Sequence, residues 1–110
     1  MSQEPRGLRF AFEARAEVVL EGGSEKIPAR VTELSFRGCF LEISGLSSEV
    51  QCLQVRIWHE EQFFEASAKV IYARATGVGV VFGDIKPHCR NVLQSWILAA
   101  LDRQVKMEKA

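Results

Sequence analysis

Ala16-Glu17-Val18-Val19-Leu20-Glu21-Gly22-Gly23-Ser24-Glu25-Lys26-Ile27-Pro28-Ala29-Arg30-Val31-Thr32 is the stretch that decides the fold. Its paired glycines readily supply the positive φ of a hairpin turn, and an apolar run leads into them. On the far side Ile27, Ala29 and Val31 alternate with Pro28, Arg30 and Thr32, the period of two expected of a strand with one buried face. The reading is strand, turn, returning strand. Pro28 lacks an N–H, which assigns its part of the strand to an edge or a bulge.

The same grammar continues downstream. Gly38 to Ile43 is a short apolar segment, followed by a serine- and glycine-containing loop from Ser44 to Glu49. In Val50 to Trp58, Leu53, Val55 and Ile57 alternate with Gln54, Arg56 and Trp58, and Glu60-Glu61-Gln62 makes a polar connection to the next strand. Phe64, Ala66, Ala68 and Val70 repeat the alternation, Thr76-Gly77 forms a turn, and Val78 to Phe82 ends the series. Roughly six or seven short strands without intervening helices indicate an all-β antiparallel sandwich or closed barrel.

After Pro87 the period changes. Cys89, Val92, Leu93, Trp96, Ile97, Ala100 and Leu101 recur at three- and four-residue spacing, which predicts an amphipathic helix over about residues 87–105 with Pro87 in its first turn. Its apolar stripe either covers an open end of the barrel or pairs with a second copy, so monomer and homodimer both stay open. Trp58 and Trp96 fit a core or an interface equally well. Residues 1–8 show no apolar periodicity and read as a mobile arm, leaving residues 9–105 as one barrel-and-helix unit.

Composition narrows the class of function. A chain of 110 residues with 47% hydrophobic and 25% charged residues suits a single globular domain. Lysine and arginine balance aspartate and glutamate at 14 each, which argues against DNA as a partner. Cys39, Cys52 and Cys89 are odd in number and widely separated, and no signal peptide precedes them, so a cytoplasmic location without disulfides is expected. No apolar run is long enough to insert in a membrane.

Nothing in the spacing assembles an enzyme or calls for a cofactor. No phosphate-binding loop, dinucleotide-binding glycine pattern or zinc spacing occurs. Cys89 follows His88, but adjacent helical side chains point about 100° apart, so the pair reads as a buried cysteine beside an exposed histidine. His59 and the carboxylates of Glu60 and Glu61 read as solvated groups of a hairpin connection.

Two short constellations carry binding chemistry instead. Arg6-Gly7-Leu8-Arg9-Phe10 places two guanidiniums at the entrance to the first strand, where planar forks can grip phosphate oxygens or stack on a base. Glu33-Leu34-Ser35-Phe36-Arg37-Gly38 sets a carboxylate, a hydroxyl, a guanidinium and a glycine around one strand-to-strand turn. Its purely structural explanation is that Ser35 bonds local backbone and Gly38 takes positive φ.

With these residues in view, the chain resembles the PilZ domain family. Arginines before the first strand, Thr32-Glu33-Leu34-Ser35-Phe36-Arg37-Gly38-Cys39, the later Val78-Gly79-Val80-Val81-Phe82 and a terminal helix stand in that family's order. The resemblance implies a six-stranded antiparallel β-barrel with a C-terminal α-helix. It also implies the bacterial second messenger cyclic di-GMP as ligand, held between an N-terminal arginine motif and an Asp/Asn-x-Ser-x-x-Gly motif on the barrel. By position, Arg9 takes the role of the second arginine, Ser35 and Gly38 match the barrel motif, and Glu33 takes its acidic place.

Two departures are visible. Arg6 and Arg9 have two residues between them where the family has three, and Pro5 stands where the first arginine would fall. In an extended segment a one-residue shift turns a side chain to the opposite face. Glu33 in place of Asp or Asn moves the carboxylate by roughly 1.5 Å. The resulting expectation is a non-catalytic cyclic di-GMP receptor that signals to a partner protein by ordering its arm. The alternative is a PilZ-like protein-protein adaptor that no longer takes the nucleotide.

Overall fold

The computed structural model describes residues 9–47 and 49–109. Six strands, β1 (Phe10–Leu20), β2 (Lys26–Leu34), β3 (Gly38–Glu42), β4 (Cys52–His59), β5 (Gln62–Arg74) and β6 (Gly77–Phe82), precede one helix, α1 (Pro87–Lys109). All neighbouring strands are antiparallel, and the order β1-β2-β3-β6-β5-β4 closes into a barrel. Closure gives every strand two neighbours along most of its length, which reduces the aggregation hazard of an open sheet. Of the two architectures compatible with the strand pattern, the barrel is the one formed.

Alternation along the strands fills the interior. In β1, Phe10, Phe12, Ala14, Ala16 and Val18 are buried while Ala11, Glu13 and Arg15 face outward. Val31, Leu34, Leu41, Val55, Ile57 and Phe64 are the most deeply buried large side chains from the other strands. No polar or charged residue is buried among those described. Each of these larger side chains contributes about 1.5–3 kcal/mol by leaving water.

Pro28 sits opposite Glu17 of β1, in the part of β2 that lies before its register with β3 begins at Arg30. That stretch has one strand neighbour, so the expected edge position exists even inside a closed barrel. Gly22 supplies the positive φ of the first hairpin. The β4–β5 hairpin turns on Glu60 and Glu61 at φ 52° and 69°, an uncommon choice for residues with a Cβ.

The helix begins as its sequence predicts. The Arg90 N–H donates to the Lys86 carbonyl at 2.9 Å, so Pro87 is the first helical residue and its missing donor costs nothing. Cys89, Leu93, Trp96, Ile97 and Ala100 are buried against the barrel core. Trp96 is the anchor: its ring lies 5.3 Å from Phe12 and 6.2 Å from Phe64, and its Nε1–H donates to Gln62 Oε1 at 3.0 Å. The stripe from Cys89 to Ala100 is thus covered within the chain, and Trp96 is a core residue, whereas Leu101, expected to continue the stripe, is exposed. The helix runs to Lys109, beyond the end near residue 105 that its apolar pattern suggests.

His59 corrects the sequence reading. It closes β4 rather than lying in the connection, and its ring packs 4.5 Å from Phe12 and 5.6 Å from Trp96, with its side chain only 24% exposed. Among the described residues, no helix is long and apolar enough to cross a membrane.

Candidate functional site

The outer wall of the barrel carries a cleft of about 680 Å³ including its open mouth, lined on one side by Arg9, Glu33, Ser35, Arg37 and Gly38. Of this space about 190 Å³ is cavity proper, and the rest opens into solvent. Phe40, Ile71, Tyr72, Gly79 and Val81 line the remainder. Five of the six residues singled out from sequence therefore converge on one surface. Arg6 lies outside the described residues, as does the rest of the arm at 1–8.

The β2–β3 turn owes its shape to Ser35. Its Oγ accepts from the backbone N–H groups of Arg37 at 3.2 Å and Gly38 at 3.1 Å, and donates to the Gly38 carbonyl at 3.2 Å. The Ser35 N–H reaches the same carbonyl at 2.9 Å. One donor and two acceptor positions are all a hydroxyl has, so the Ser35 side chain is fully committed to the turn. It holds Phe36 and Arg37 out at the surface, where Phe36 is 53% exposed.

Gly38 is needed for a different reason from the one its turn position suggests. Among the described residues the positive-φ glycines are Gly22 and Gly45; Gly38 is not one of them. A Cβ at Gly38 would fall on the Val80 carbonyl oxygen and lie 2.9 Å from the Val80 carbonyl carbon. The glycine lets the start of β3 press against the backbone of β6.

Arg9 and Glu33 meet across the β1–β2 edge of the cleft, Nη1 to Oε1 at 3.7 Å, both about half exposed. An exposed pair of this kind contributes less than about 1 kcal/mol, so either group is free to exchange its partner for a ligand. Arg37, exposed at the turn, adds a second guanidinium on the same side.

The far wall escaped the sequence reading. A β-bulge between Val70 and Tyr72 shifts the phase of β5, turning Tyr72 outward opposite Gly79 and leaving Ile71 55% exposed. A Cβ at Gly79 would collide with the Tyr72 ring, so the glycine is what allows that ring to lie flat across β6. The ring stacks on Phe40 at 6.2 Å with an interplanar angle of 23°, and the Arg74 guanidinium sits 5.1 Å from Tyr72 and 5.3 Å from Phe40. The extra bulge residue hides this cluster from a strict period of two.

Reactive groups elsewhere do not build a second centre. Burial pushes the Cys39 thiol up to about 12, leaving it protonated and inert near neutrality. Cys89 Sγ lies 3.5 Å from His88 Nε2, closer than adjacent helical positions suggest, but the sulfur is buried under the helix. Among the described residues, no group of three or more potential metal ligands occurs.

A small closed barrel with a helix packed over part of its core and a cationic cleft on its outer wall defines the class. The chain belongs to the PilZ domain family, whose family model matches residues 2–99. Several solved structures share the fold. The PilZ domain of CeSA from a cellulose-synthesizing bacterium is 14% identical with a TM-score of 0.66, covering 84% of this chain and 97% of that one. The Bacillus subtilis inhibitor of motility MotI (DgrA) is 18% identical, with a TM-score of 0.70 over 96% of this chain and 53% of that one. Escherichia coli YcgR, solved in complex with c-di-GMP, is 20% identical, with a TM-score of 0.69 over 97% of this chain and 50% of its own. The chain thus spans about half the length of the MotI and YcgR chains. No match was found among curated proteins.

Proposed function

We propose that this chain is a non-catalytic, cytoplasmic receptor module for cyclic di-GMP, binding the nucleotide in the outer-wall cleft between Arg9 and the Ser35–Gly38 turn. The observation that carries this reading is that Arg9, Glu33, Ser35, Arg37 and Gly38 line a single cleft. The guanidiniums of Arg9 and Arg37 grip phosphate or stack on a base, and Glu33 accepts the paired donors of a guanine edge once it leaves Arg9. Ser35 is a positioning residue, because its hydroxyl shapes the turn that presents Arg37. Binding brings the segment carrying Arg6 onto the cleft beside Arg9 and so creates a new surface for a partner protein.

The adaptor alternative rests on a specific observation of its own. Ser35 spends its whole hydrogen-bonding capacity within the turn, and Glu33 already faces Arg9, so the motif has a structural role without any ligand.

Isothermal titration with cyclic di-GMP at moderate salt separates the two. The receptor reading expects micromolar or tighter binding that is lost in Arg9→Ala. Absence of heat from folded, concentrated protein removes it and leaves the adaptor.

A further inference from the structure

Tyr72, Phe40 and Arg74 form a layered cluster that the motif residues do not explain. The Tyr72 ring is seated over Gly79 and stacked on Phe40, and Arg74 lies against both rings. Arg74 takes no part in the ion pairs described for the barrel. Its guanidinium is a charged plane with aromatic support. Beside it, Ile71 offers exposed apolar surface on the same wall of the cleft.

The register fixes where this cluster stands relative to Arg9. Glu33, Phe40, Gly79 and Tyr72 form one outward-facing row across β2, β3, β6 and β5. Three strand spacings separate the ends of that row, roughly 14 Å. Arg9 meets Glu33 at one end, and the Tyr72 cluster closes the other. The cleft thus has a guanidinium, Arg9, at its β1 edge and an aromatic ring, Tyr72, at its β5 end, with Arg74 against that ring just outside the cleft lining.

We infer that Tyr72 and Arg74 form a stacking shelf for a purine base at the β5 end of the cleft, distinct from the motif residues. A flat heteroaromatic ring matches the planar arginine and tyrosine faces, and the charge on Arg74 favours a base that carries a phosphate. Stacking of a base on such side chains is worth about 1–3 kcal/mol. In the receptor reading, on which this inference builds, the shelf takes the guanine remote from Arg9. It offsets the altered arginine spacing with a contact that does not depend on the N-terminal segment.

Tyr72 is the chain's 1 tyrosine, so selective isotope labelling of tyrosine gives NMR signals from this ring alone. Titration of the full chain with cyclic di-GMP should move those signals upfield, and Arg74→Ala should weaken binding roughly tenfold. Arg74→Lys keeps the charge but loses the plane, and should recover little of that affinity. If the nucleotide shifts the Ser35–Gly38 amides yet leaves the Tyr72 ring unmoved, or if either Arg74 variant binds like the parent, the shelf is overturned while the receptor reading stands. If cyclic di-GMP shifts nothing, the receptor reading fails, and guanosine monophosphate taken to millimolar concentration decides the shelf. Movement of the Tyr72 signals that is lost in Arg74→Ala supports it, and unmoved signals overturn it.

Discussion

Replacing Gly38 with alanine should unfold the seam of the barrel before it touches any ligand contact. The new Cβ falls on the Val80 carbonyl oxygen and lies 2.9 Å from the Val80 carbonyl carbon and 3.0 Å from the Val81 Cα, all of it backbone. Relieving the overlap with the carbonyl oxygen, the tightest of these contacts, requires β3 and β6 to part by more than about 1 Å. The Phe82 N–H bond to the Arg37 carbonyl, 2.7 Å long, would then be stretched beyond hydrogen-bonding range. Overpacking costs about 1–3 kcal/mol and each weakened bond adds up to about 1, so a loss of roughly 3 kcal/mol is expected. For a domain of this size that lowers Tm by about 10–20 °C. Circular-dichroism melts of Gly38→Ala and the parent measure it, with Gly22→Ala as control. Gly22 has φ +81° and open space around it, so its variant should lose only about 1 kcal/mol through backbone strain. A Gly38→Ala melt within about 3 °C of the parent would refute the claim that this glycine holds the seam. The design matters for binding studies, because weak binding by this variant would report damaged architecture as well as an altered site.

The other expectations are independent of that seam. Replacing Glu60-Glu61 with Asn-Gly relieves two positive-φ positions of the β4–β5 turn and should stabilise the barrel by about 1 kcal/mol in urea titrations; unchanged stability would show the turn is unstrained. In the native state at pH 8, an alkylating reagent should modify exposed Cys52 and spare Cys39 and Cys89, as read by peptide mass spectrometry. Because the Cys39 thiol is raised from 9.0 to about 12, the unfolded chain releases its proton first, so its stability contribution is intact below pH 9 and lost as pH rises towards 12. That loss approaches about 1.4 kcal/mol per pH unit and should be absent from the pH dependence of Cys39→Ala. Finally, Pro5→Arg restores the family's arginine spacing with Arg9 and should tighten cyclic di-GMP binding severalfold by calorimetry; an unchanged affinity would mean that this segment does not reach the nucleotide.

Local signals made most of the architecture readable. The alternation in β1 and β4 survives almost residue for residue in the burial pattern, and the period change at Pro87 marks the helix start. What stayed hidden depends on long-range pairing. No local pattern places β6 between β3 and β5, and without that arrangement the need for a glycine at position 38 looks like a matter of φ. His59 was misread because its burial comes from Phe12 and Trp96, far away in the chain. The arginine and Ser35 segments were legible as motifs, but the Tyr72 cluster was not. The bulge at Ile71 inserts one residue, so the simple alternation that located Phe64, Ala66 and Ala68 loses its phase before Tyr72.

The cleft lies on the outside of a cylinder whose bore is already filled by Leu41, Val80 and their neighbours. On the receptor reading, a nucleotide arriving there has no sheet to unzip and no lid of strands to wait for, so its residence time is set by surface side chains. On that reading, sensitivity can drift over generations through substitutions at Arg9, Arg37 or Arg74 with little toll on folding, while Gly38 and Gly79, pressed against neighbouring backbone and ring, stay fixed.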